Sequence, residues 1–142
     1  MRPDIYGTQD TRLRADVGRI CRLLAKEFKP DAAAVNVVFV TDRRIRELNR
    51  QFLKRDRPTN VISFNCNQPQ VPGEPRLLGE IYVSRDRARA QAREYGVSHA
   101  SELRRLVLHG LLHLLGLTHR EMEPYYRKYL QRDCGHGARN IE

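Results

Sequence analysis

The chain has 142 residues, 40% of them hydrophobic and 30% charged, which suits one soluble domain able to build its own core. Lys and Arg number 26 against 17 Asp and Glu, a net charge of +9 that favours polyanionic partners: RNA, DNA or an anionic membrane surface. The richest apolar run, residues 106 to 117, is too short for a bilayer and carries two histidines, so no membrane-spanning segment is expected.

The N-terminus, Met-Arg-Pro-Asp-Ile-Tyr, lacks an apolar signal core, which predicts a protein that stays in the cytoplasm. Cys21, Cys66 and Cys134 are odd in number and widely separated, and they read as ordinary thiols in a reducing compartment. Arg far outnumbers Lys, so a basic proteome is an alternative source of the charge.

No linker or repeat divides the chain, and residues 1–142 are read as a single domain. Residues 1 to 6 suggest a short edge strand around Ile5 and Tyr6. Helical spacing of Leu13, Val17, Ile20, Leu24 and Phe28 predicts a helix over 11 to 28, with Pro30 beyond its end. The β-branched stretch from Val35 to Thr41 predicts a buried strand. Thr41 or Asp42 can cap a helix over 43 to 53, with Ile45, Leu48, Phe52 and Leu53 expected to face inward.

After a polar loop from Lys54 to Pro58, Val61 to Phe64 reads as a strand. Residues 65 to 76, with Pro69, Pro72, Gly73 and Pro75, are expected to be loop. Leu78 to Val83 reads as a strand, and Ser84 as the cap of a helix reaching Tyr95 and Gly96. Ser98 opens the next helix, with Glu102 in its first turn, and a last amphipathic helix is expected over 120 to 132. The order predicts an α/β (α+β) fold: a small mixed sheet packed with about five helices, one of them buried.

That buried helix carries the chemistry. From Leu106 to Leu117 everything except His109 and His113 is apolar or glycine, and a helix apolar all round is a buried one. Imidazoles buried there need a partner, and the i, i+4 spacing puts both on one face. Gly116 can end the helix in a left-handed cap and let the chain turn, so that His119 returns to the same point. Three nitrogens would hold one zinc per chain and leave a fourth position for water, the arrangement of a catalytic rather than a structural site. The expected catalytic group is therefore zinc-bound water, with no side chain assigned. His99 and His136 lack such spacing and read as surface or cap residues. Zinc proteases of the metzincin type share the spacing but place a general-base Glu after the first His, where this chain has Gly110. Met122 lies too close to His119 to serve as that family's separate Met-turn.

Basic residues concentrate in two segments. Residues 43 to 57 carry a local excess of five positive charges, and the helix after Ser84 adds Arg85, Arg87, Arg89 and Arg93. Together they suggest a phosphate-binding groove beside the metal, with Lys54, Arg55, Arg57 and Arg85 as the RNA-binding candidates.

The run His-Gly-Leu-Leu-His-Leu-Leu-Gly-Leu-Thr-His resembles the signature His-Gly-x-Leu-His-Leu-x-Gly-Tyr-Asp-His of the bacterial YbeY endoribonucleases. The resemblance extends to Leu48-Asn49, to the block from Pro58 to Phe64 and to the block from Leu78 to Ser84. It implies a mixed four-stranded sheet surrounded by helices, with zinc on His109, His113 and His119. It also implies a metal-dependent, single-strand-preferring endoribonuclease of ribosomal RNA precursors, acting in 16S rRNA 3′-end maturation and ribosome quality control. The small ribosomal subunit would be its partner, with no DNA and no membrane. Three positions depart from the family pattern: Leu53 stands where the family commonly has Arg, Thr118 where it has Asp, and Glu80 where it has Asp. The rival readings are a zinc metallopeptidase-like hydrolase and a non-catalytic, metal-containing ribosome-assembly factor.

Overall fold

A computed structural model describes residues 1–57, 59–66, 71–74 and 76–130. Four strands and five helices follow one another along the described chain. They are β1 (Arg2–Tyr6), α1 (Thr11–Phe28), β2 (Ala34–Val40), α2 (Asp42–Leu53), β3 (Val61–Asn65), β4 (Leu77–Ser84), α3 (Arg85–Tyr95), α4 (His99–Leu114) and α5 (His119–Tyr129). This is the expected order, and the fold is α/β. Pro69 and Pro75 of the expected loop, together with Cys134 and His136, lie outside the described residues.

The sheet runs β1-β2-β4-β3, with β1, β2 and β4 parallel and β3 antiparallel at one edge. Alternation along the strands divides the apolar residues between two faces. Val35, Val37, Phe39, Ile81 and Val83 join Leu13, Val17 and Ile20 of α1 and the apolar body of α4 in the larger core. The opposite face is smaller: Val40 and Ile62 meet Ile45 and Leu48 of α2. Among the described residues, Cys21 and Cys66 are free thiols, and burial pushes Cys21 up to about 12, which keeps it protonated at neutral pH.

Side-chain caps fix the helix starts. Asp10 accepts from the amides of Arg12 and Leu13, and Thr41, Ser84 and Ser98 cap α2, α3 and α4. One expectation fails in α2: Phe52 and Leu53, expected inward, are 56% and 45% exposed. The helix buries Ile45, Leu48 and Asn49, but its last turn borders an open cleft instead of the sheet face. Phe52 makes an edge contact with Phe64, at 5.4 Å between ring centroids.

α4 packs directly on the strands because Gly110 has no side chain. A Cβ there would sit 2.7 Å from Cγ2 of Ile81. Gly110→Ala is therefore expected to push α4 off β4 and to destabilise the protein by about 1–3 kcal/mol, read as a lower urea midpoint. An unchanged midpoint would mean that Ile81 moves aside freely.

Candidate metal centre

The three histidines are brought together by a tight helix–turn–helix. α4 carries His109 and His113 one turn apart. It ends in a Schellman motif: Gly116, at φ +89°, donates to the His113 carbonyl at 3.0 Å, and Leu117 donates to the Leu112 carbonyl at 3.0 Å. Thr118 then starts α5, which makes His119 the first helical residue and not part of the preceding turn. Thr118 and Glu121 form a reciprocal capping box: the Glu121 amide donates to Thr118 Oγ1 at 3.4 Å, and the Thr118 amide donates to Glu121 Oε1 at 3.1 Å. Thr118 is thus the residue that sets where His119 stands. The Thr-x-x-Glu signature was present in the sequence.

Ligand-capable nitrogens of His109, His113 and His119 all lie within 4.8 Å of one another. Nε2 of His113 and Nε2 of His119 are 3.2 Å apart. Two nitrogens on one tetrahedral zinc, each about 2.0–2.1 Å from it, stand about 3.3 Å apart, so this pair already has a chelating separation. His109 is only 2% exposed, whereas His113 and His119 face solvent. Its Nδ1 lies 2.6 Å from the Tyr126 hydroxyl, a partner the sequence reading did not find. Its Nε2 is buried and has no hydrogen-bond partner among the described residues. Burial, with the neighbouring His113 and His119, holds His109 down to about 3, and burial followed by His119 lowers His113. Both imidazoles are then neutral at physiological pH, the form in which imidazole binds a metal. A buried ring nitrogen without a hydrogen-bond partner among the described residues, clustered with two accessible imidazoles, fits a metal ion held by three nitrogens with room for further ligands.

A cleft of about 250 Å³ opens beside these rings, lined by Leu53, Val61, Ile62, Ser63, Asn65, His109, His113 and Leu114. Edge strand β3 forms one side, and Ser63 Oγ donates to the Gly110 carbonyl at 3.4 Å. Leu53, at the position where the resemblance places an arginine, lies on the wall. Lys54, Arg55 and Arg57 follow it directly, all exposed. Lys54 ends α2 in a left-handed conformation, φ 59°, which turns the basic segment away from the helix axis. Buried Asn49 holds that segment: its Nδ2 donates to the Arg57 carbonyl at 2.8 Å, and its own carbonyl accepts from the Arg55 amide at 3.2 Å.

Arg85 is not brought to the cleft. It donates to the Gly7 carbonyl at 3.0 Å, just past β1, on the sheet edge opposite β3. Three inter-strand spacings, about 14 Å, separate the two edges. The two basic segments suggested one shared groove, but the strand order places β1 and β3 at opposite edges of the sheet. His99 is the first residue of α4, after its cap Ser98, and its Nε2 lies 3.1 Å from the Arg85 carbonyl at the start of α3.

Residues 4–132 match the family model described as endoribonuclease YbeY. An endoribonuclease YbeY of Bacillus cereus (strain B4264) is 47% identical over 96 residues, covering 63% of this chain and 62% of that protein. One of Bacillus thuringiensis (strain Al Hakam) is 46% identical over the same length, again covering 63% and 62%. The matched segment thus spans 62% of the length of these relatives. Among solved structures, the solution structure of TM1509 from Thermotoga maritima superposes with a TM-score of 0.62 at 32% identity, covering 91% of this chain and 87% of that one.

Proposed function

The chain belongs to the endoribonuclease YbeY family, and from that premise we propose that it is a zinc-dependent endoribonuclease. Its substrates are single-stranded segments of ribosomal RNA precursors, the 16S rRNA 3′ end among them, and it works on the small ribosomal subunit in the cytoplasm. The carrying observation is the buried, unpartnered Nε2 of His109, converging with the His113 and His119 imidazoles at the edge of an open cleft.

Zinc bound there supplies a water of lowered pKa and a Lewis acid for a phosphoryl oxygen. The chain's own residues do the rest. His109, neutral and packed in the core, gives the site a rigid anchor, while His113 and His119 leave the outer side accessible. Lys54, Arg55 and Arg57 bind and orient the phosphate backbone on the segment that Asn49 fixes beside the cleft. With Leu53 on the wall, charge that an arginine would bring to the reacting phosphate comes from this segment.

Peptide hydrolysis is disfavoured by packing as well as by sequence. A general-base Glu after the first histidine would have to grow from position 110, where even a Cβ meets Ile81. A structural metal in a non-catalytic assembly factor would be expected in a closed site, whereas here two of the three imidazoles are exposed.

Replacing Lys54, Arg55 and Arg57 together by Ala is expected to weaken RNA binding and to flatten its log–log salt slope by about 2, from three lost phosphate contacts at about 0.7 each. Filter binding across a salt series measures this, and an unaltered slope would place the groove elsewhere. RNA binding without cleavage under any divalent metal would favour the assembly-factor reading.

A further inference from the structure

We propose that Tyr126 is the positioning residue of the metal centre: its hydroxyl accepts the Nδ1 proton of His109 and so leaves Nε2 as the lone pair that faces the other two histidines. A neutral imidazole carries one N–H, and the surroundings of His109 decide where it sits. Were the Tyr126 hydroxyl to donate to Nδ1, the proton of His109 would be on Nε2, buried and without an acceptor among the described residues. In the other arrangement Nδ1–H donates to the Tyr126 oxygen at 2.6 Å, and the Tyr126 hydroxyl donates onward to Met122 Sδ at 3.7 Å. Every donor is then used, and only an acceptor lone pair remains at Nε2. A buried donor without an acceptor is costly, so the second arrangement prevails with or without a metal.

A ligating histidine gains from an acceptor on its other ring nitrogen, and in this chain α5 supplies that acceptor. The residue before the last histidine cannot do so: Thr118 is committed to the α5 cap. One helix therefore delivers both a candidate ligand, His119 at its first position, and the orienting hydroxyl, Tyr126 two turns later. The His109 and Tyr126 rings lie 4° from parallel with centroids 6.5 Å apart, an edge-to-edge placement that suits a hydrogen bond in the ring plane.

The inference rests on the zinc reading above, and the experiment separates the two. Zinc affinity by competition titration is compared among wild type, Tyr126→Phe and Tyr129→Phe, and the His109 tautomer is read from imidazole proton–nitrogen correlation spectra of the metal-free proteins. Tyr129→Phe is the control, since it removes another hydroxyl from α5, one bonded to Glu27 away from the site. Expected are an Nδ1–H tautomer in wild type, its loss in Tyr126→Phe with about 10–100-fold weaker zinc binding, and wild-type affinity in Tyr129→Phe. Equal zinc affinity in wild type and Tyr126→Phe, or an Nε2–H tautomer in wild type, would overturn this inference alone. Equal weakening in both variants would also overturn it, by tracing the effect to a loosened helix. Wild-type protein that takes up no zinc would overturn the zinc reading together with it.

Discussion

Replacing His113 with Ala is expected to lower zinc affinity by more than about 100-fold and to reduce RNA cleavage to background. Loss of an orienting partner alone weakens a metal site about 10–100-fold, and His113 is proposed as a direct ligand. Its Nε2 stands 3.2 Å from that of His119, and the substitution leaves only two imidazoles to hold the ion. Because His113 is exposed, the metal-free variant should melt close to wild type, within about 0.5 kcal/mol of stability. This makes it a cleaner test than His109, whose removal would also open a cavity in the core. Metal content and cleavage of a single-stranded RNA are measured on the same preparations, with about one zinc per wild-type chain expected from a single three-ligand site. Undiminished cleavage in the variant would assign the activity to a contaminating nuclease or another site. Undiminished zinc would remove His113 from the ligand set.

The largest expected effect on stability lies one to two turns N-terminal to the metal face. Glu102→Ala is expected to destabilise the protein by about 3–5 kcal/mol. Both Glu102 and Arg105 are 0% exposed, and the guanidinium meets the carboxylate through two bonds, Nη2 at 2.5 Å and Nε at 3.1 Å. Taking the carboxylate away leaves a guanidinium in the core without the charge that compensates it. Loss of the Glu102 side chain from a fully packed site adds a cavity to that cost. Urea unfolding should show a lower midpoint with an unchanged slope, and the melting temperature should fall by on the order of 10 °C. A variant within about 1 kcal/mol of wild type would show that Arg105 is compensated by another group. The consequence reaches the metal centre, because the Arg105 cation is one of the charges that keep His109 neutral.

Sequence periodicity and punctuation carried most of the secondary structure. Asp10, Thr41, Ser84 and Ser98 each cap the helix expected after them, and Gly116 turns the chain out of α4 as expected. The histidine cluster was legible for the same reason: i, i+4 spacing and a glycine turn are short-range geometry, and they bring His109, His113 and His119 within reach of one another. Readings that depended on which surface a residue would meet fared worse. Phe52 and Leu53 continue an apolar stripe, yet α2 reaches the cleft before its last turn finds a partner. Glu102 read as a residue favourable to the helix dipole, and only the packing of α4 showed that it is buried against Arg105. An otherwise apolar helix was the available signal, since a charge inside one must be paired.

By itself, then, the sequence determined the order of strands and helices, the burial of α4 and the three-imidazole cluster, because each follows from spacing within a few turns of chain. The tertiary structure decided the rest. The Arg85 guanidinium turns to the Gly7 carbonyl past the end of β1, whereas Lys54, Arg55 and Arg57 follow Leu53 of the cleft wall. The close approach of α4 to β4 explained why position 110 is glycine. The return of α5 across α4 gave His109 its Tyr126 partner, seventeen residues away. Such contacts depend on where whole elements pack, and no local pattern of residue types encodes that placement.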